Sequence, residues 1–135
     1  MTRLLMVDDE AAVLSALQRA LRQRLGSALE VVAETDAMAA LERCRHEVFD
    51  IVISDLRMPE IDGVTLLSLI GALRPASVRM ILTASNDLSA AQRAIQDAGV
   101  FRFLSKPWVD SELAAHMRAA MAQVDINRTA ALQAG

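Results

Sequence analysis

Hydrophobic residues along the chain follow two alternating rhythms. Short apolar-rich runs occur at Leu4–Val7, Glu30–Ala33 (through Val31 and Val32), Ile51–Ile53, Arg79–Leu82 and Phe101–Leu104. Runs of this kind suit strands buried on both faces of a parallel sheet, where no polar side is needed. Between them, apolar residues recur at helical spacing. The stripes are Val13, Leu14, Leu17, Leu21 and Leu25; then Met38, Leu41 and Cys44; then Val64, Leu67 and Ile70, widened by Leu66, Leu69 and Leu73. Two more follow: Leu88, Ala91, Ile95 and Ala98, and finally Leu113, Met117, Met121 and Val124.

The punctuation agrees with this division. Gly26 and Gly99 stand where helices should stop, and Pro75 follows the third stripe. Thr35 or Asp36, Asp62, Asn86 or Asp87, and Asp110 are placed to cap helix starts. From Asn127 onward the apolar stripe lapses, so that stretch reads as a frayed helix end or a linker.

Five βα units in regular alternation predict an α/β fold: a doubly wound five-stranded parallel sheet with five helices on its two faces. Periodicity leaves the strand order open. The flavodoxin-like order 2-1-3-4-5, with its ligand site at the switch point between strands 1 and 3, is the expectation adopted. Residues 1–124 make one domain, and 125–135 a helix extension or a linker to a further domain.

Composition narrows the function classes. A chain of 135 residues, 53% hydrophobic and only 3% aromatic, suits a compact α/β domain with a real core. A formal charge of −3 gives no electrostatic footprint for nucleic acid. The single cysteine, Cys44, excludes an internal disulfide and reads as an inert thiol on a helix. The N-terminus MTRLLMVDDE lacks the apolar region of about 7–15 residues that a signal peptide needs. Val64–Leu73 falls short of the ~20 apolar residues that span a bilayer. A soluble, cytoplasmic protein is expected, with no membrane partner.

The chemistry lies in what ends each strand. Strand 1 delivers Asp8 and Asp9, strand 3 Asp55, strand 4 Thr83 and strand 5 Lys106. In a parallel sheet these ends share one edge, with strands about 4.8 Å apart. After Asp55, the stretch LRMPEIDG forbids a quick return to regular structure. Gathered carboxylates repel, so either one takes up a proton or a cation holds them together. An all-oxygen set without His or Cys selects a hard divalent ion such as Mg²⁺. Metal, ammonium, hydroxyl and a nucleophilic carboxylate together suit phosphoryl transfer. The competing reading is that an Asp or Thr after a strand merely caps the next helix; Lys106 cannot.

In order and spacing, VDDE, ISDLRMPEIDG, LTAS and FLSKPW resemble the receiver domain of two-component response regulators, the CheY-like family, over about residues 3–124. The resemblance implies that Asp55 is the phosphoacceptor, taking its phosphoryl group from a sensor histidine kinase or a phosphotransfer protein. It implies that Asp9 binds Mg²⁺ directly, Asp8 mainly through water, and Arg57 through its backbone carbonyl. Thr83 and Lys106 would grip the phosphoryl oxygens, Phe103 would turn inward as the switch aromatic, and Lys106-Pro107 would be cis. Arg57 and Ser85 occupy the two positions that tune phosphoryl lifetime in the family. Phosphorylation would alter the surface made by the 86–98 helix, the fifth strand and the last helix; a homodimer through those elements is compatible with it. Trp108 reads as packing, and His46 and His116 as surface residues.

Such a protein catalyses only its own phosphorylation and dephosphorylation, and is not an enzyme in the usual sense. A phosphohydrolase resembling the haloacid dehalogenase group would carry a second Asp two residues after the first, where Arg57 stands. A binding scaffold that never titrates its acids is the third class.

Overall fold

The structure is a computed structural model and describes residues 1–84, 89, 92, 96 and 98–134. Its strands are β1 (Thr2–Val7), β2 (Leu29–Glu34), β3 (Ile51–Asp55), β4 (Val78–Ala84) and β5 (Arg102–Lys106). Among the described residues the α-helices are, in order, α1 (Ala11–Leu25), α2 (Ala37–His46), α3 (Gly63–Leu73) and α4 (Asp110–Ala134). All strand pairs are parallel, in the order β2-β1-β3-β4-β5.

Alternate residues of each strand feed alternate cores, which is why the inner strands read as apolar-rich runs. Leu4, Met6, Ile51, Ile53, Met80 and Leu82 face α1 and α4. Leu5, Val7, Val52 and Ile81 face α2 and α3. Gly26 closes α1 at φ 56, a left-handed value that costs glycine little. Asp36 and Asp62 cap α2 and α3, accepting from the backbone N–H groups of Met38 (3.0 Å) and Thr65 (2.8 Å).

Several expectations shift. Met38 is 46% exposed, because α2 buries the stripe Ala37, Ala40, Leu41 and Cys44, one helical step away from it. Leu69 and Leu73 are 43% and 40% exposed, since a helix on a single sheet face buries only Gly63, Leu66, Leu67 and Ile70. Cys44 is buried as expected, and desolvation pushes its thiol up to about 11. Lys106 lies within β5, in register with Ala84, rather than after the strand. Asp110 is the first residue of α4, whose opening bond runs from the Leu113 N–H to the Val109 carbonyl.

The segment after Val124 continues α4 to Ala134. Its hold is polar, which explains why the apolar stripe missed it. Arg128 pairs with Asp50, which also accepts from the Arg3 backbone N–H at 2.8 Å, and Asn127 donates to the Ala76 carbonyl at 3.0 Å. In the expected 86–98 helix, Ser89, Gln92 and Gln96 are helical and exposed. The remaining predicted features there, with Asn86, Asp87, Leu88, Ala91 and Ile95, lie outside the described residues. Among the described residues, no helix is long and apolar enough to cross a membrane.

Candidate functional site

The carboxyl edge of the sheet carries the site, as the strand ends require. Asp55 is the last residue of β3 and only 7% exposed. The chain stays pinned just beyond it. Leu56 donates its N–H to the Leu82 carbonyl (3.1 Å), and its own carbonyl accepts from Gly63 (2.9 Å). Glu60 takes a φ of 70° to turn the loop back. The return is tight: a Cβ on Gly63 would lie 2.1 Å from the Asp55 carbonyl oxygen.

β1 brings the neighbouring acids. Asp8 is fully buried and Asp9 is exposed. One Asp8 oxygen accepts from the Glu10 N–H at 2.9 Å, at the start of α1 where no side chain from the cap position does so. The other accepts from the Lys106 ammonium, also at 2.9 Å, and Lys106 lies 3.4 Å from Asp55. One oxygen each from Asp8, Asp9 and Asp55 falls within a mutual 4.8 Å.

Electrostatics follow from this crowding. Burial, then the charge of Asp8, push the Asp55 carboxyl above its ordinary value, against the pull of Lys106 and the Leu56 N–H. Burial alone would lower Lys106, yet its bonds to Asp8 and Asp55 and their charges outweigh it and raise the ammonium's pKa. One ammonium facing three carboxylates leaves the cluster short of positive charge. The donor set therefore fits a hard divalent cation such as Mg²⁺, and such a cluster can hold a phosphoryl group.

Thr83 is buried, but its hydroxyl donates to the Ala84 carbonyl at 3.1 Å and not to a carboxylate. Phe103 is half-buried, level with Ile81 and packed on the α2/α3 core. Arg57 is exposed on the loop after Asp55, and Ser85 lies outside the described residues. Trp108 packs against the α1/α4 core. The Lys106-Pro107 peptide is cis. His46 pairs with Glu42 at 2.8 Å, and His116 lies 3.2 Å from Arg102.

Two residues of the site escaped the strand-end logic. Ser54 is fully buried and donates to the Asp55 carbonyl at 3.0 Å; its only trace in the sequence is a hydroxyl inside an apolar run. Gly63 opens α3, and its missing side chain also makes room for the Asp55 backbone.

The chain matches the family described as "Response regulator receiver domain" over residues 4–118. It is 36% identical to the transcriptional regulatory protein ZraR of Escherichia coli K12 over 119 residues, which are 88% of this chain and 26% of that protein. It is 36% identical to the DNA-binding transcriptional regulator NtrC of the same strain over 114 residues, 84% of this chain and 24% of NtrC. The chain thus spans far less than two thirds of these regulators. The signal receiver domain of an HD domain-containing protein from Pseudomonas fluorescens Pf-5 superposes with a TM-score of 0.87 at 33% identity, covering 95% of this chain and 92% of that one.

Proposed function

Since this chain belongs to the response regulator receiver family, whose general function is to be phosphorylated on an aspartate, we propose that Asp55 is its phosphoacceptor. The observation that carries the reading is the meeting of acids from β1 and β3 around the Lys106 ammonium. The proposed donor is a phosphohistidine on a sensor kinase or phosphotransfer protein, met in the cytoplasm. An Asp55 oxygen attacks phosphorus, the P–N bond breaks, and the departing imidazole keeps the bonding pair and takes a proton. The chain catalyses only this change in itself and the hydrolysis of the acyl phosphate, which returns the Asp55 carboxylate and releases inorganic phosphate.

Asp9, Asp55 and the Arg57 carbonyl would hold Mg²⁺ directly. Both Asp8 oxygens already accept, from Glu10 and Lys106, which supports Asp8 acting through water. When bound, Mg²⁺ supplies positive charge to the phosphoryl oxygens. Lys106 neutralises a further oxygen and, by its charge, helps keep Asp55 ionised for attack. The Thr83 hydroxyl leaves the Ala84 carbonyl for the phosphoryl group, Phe103 moves into the space, and the surface formed with β5, α4 and the 86–98 segment changes. Such a switch needs packings only a few kcal/mol apart.

Titrating beryllofluoride with Mg²⁺ while following Trp108 fluorescence tests the reading. A saturable response to beryllofluoride that requires Mg²⁺ is expected, and no response overturns it. A further expectation concerns lifetime. With its planar, permanent charge over the acyl phosphate, Arg57 screens phosphorus from water. Arg57→Ala should hydrolyse several-fold faster in a single-turnover decay of phosphoprotein; equal rates would remove Arg57 from that role.

A further inference from the structure

Ser54 is a costly choice for its position. It lies wholly buried in β3, the only polar residue in that strand before Asp55, and a buried hydroxyl costs stability unless bonded. Alanine would pack there without that cost. The hydroxyl has one proton to give, and the Asp55 carbonyl at 3.0 Å is a nearer and stronger acceptor than the Met58 thioether at 4.0 Å. Gly63 packs against the same carbonyl, close enough that a Cβ would sit at 2.1 Å. The first peptide beyond Asp55 is thereby held by a hydrogen bond and confined by the close packing of Gly63. Met58, partly buried against the α2/α3 core, places its thioether 4.0 Å from the serine hydroxyl.

We infer that Ser54 is a positioning residue: through the Asp55 carbonyl it fixes the peptide that aims the Asp55 carboxylate and sets the Arg57 carbonyl two residues on. The inference rests on the reading of Asp55 as phosphoacceptor. Ser54 touches neither the phosphoryl group nor the metal. Its effect is carried by the backbone, as partners behind metal ligands orient them and are worth about 10–100-fold in affinity.

The test measures Mg²⁺ affinity, by Trp108 fluorescence, beside thermal unfolding in the parent, Ser54→Ala and Ser54→Thr. Ser54→Ala should melt cooperatively and bind Mg²⁺ about tenfold more weakly. Ser54→Thr, which keeps the hydroxyl, should stay close to the parent. A lower melting temperature with unchanged Mg²⁺ affinity in Ser54→Ala assigns the serine a purely structural role and overturns the inference. Equal losses in Ala and Thr variants that both melt cooperatively overturn it too. A parent that answers neither to Mg²⁺ nor to beryllofluoride instead sinks the phosphoacceptor reading, and the inference with it.

Discussion

Asp55→Asn is expected to abolish phosphorylation by acetyl phosphate and Mg²⁺ outright, and to raise the melting temperature of the Mg²⁺-free protein. The first effect follows from removing the nucleophilic oxygen. The second follows from crowding: Asp55 is nearly buried beside Asp8, and its carboxyl is raised by desolvation first and by Asp8 second. The variant keeps the Lys106 bond to Asp8 at 2.9 Å, so the ammonium is not orphaned. A gain of about 1 kcal/mol, the size of a common single-residue effect, is expected. For a domain of this length that is roughly 4 °C.

The pH dependence has a definite sign. Below the ordinary aspartate value of 3.8, Asp55 is protonated folded and unfolded, and it imposes no cost. As pH rises through the raised folded value, the folded state must ionise a carboxyl that the unfolded chain ionises more easily. Parent stability in chelator should therefore fall across that window relative to Asp55→Asn, and Mg²⁺ should restore it in the parent alone. Denaturant melts of both proteins across the acid range check this. Parallel curves would mean that Asp55 carries no folding penalty.

Gly63→Ala should lower stability by about 2–3 kcal/mol, the upper range for a misfitted group in a packed interior. Its Cβ would meet the Asp55 carbonyl oxygen at 2.1 Å, the Asp55 carbonyl carbon at 3.0 Å and the Ile81 side chain at 3.1 Å. Two of those are backbone atoms at the end of a central strand, and they cannot swing aside like a side-chain tip. The loop must lift, so Mg²⁺ affinity should fall with stability. Gly26→Ala is the control: nothing lies within 4 Å, and only its φ of +56° is at stake. That costs about 1 kcal/mol and should leave Mg²⁺ binding intact. Similar Mg²⁺ affinities in the two variants would show that the loop tolerates the added methyl.

Most of the fold was legible because the inner strands β1, β3 and β4 are buried on both sides, and their ends are marked by residues no core would choose. Asp8, Asp55 and Lys106 announced an edge before any geometry was known. What stayed hidden depended on direction rather than composition. Met38, Leu69 and Leu73 are apolar and near helical spacing, yet each sits a step off a stripe that one sheet face can cover. The helix beyond Val124 is fastened by Arg128 and Asn127, which no apolar period registers. Ser54 and Gly63 matter through one carbonyl oxygen, and a sequence carries no mark of where a backbone carbonyl will point.

The long α4 has a mechanical consequence. Its 25 residues measure about 37 Å at 1.5 Å per residue, roughly twice the length of a five-residue strand such as β5. A rod longer than the slab it lies on magnifies small rotations. A tilt of about 5° at its first turn, next to the cis peptide and Lys106, would carry the far tip about 3 Å. The Arg128 clasp on Asp50 resists that swing, so cutting it loosens the rod without touching the acids at the opposite rim.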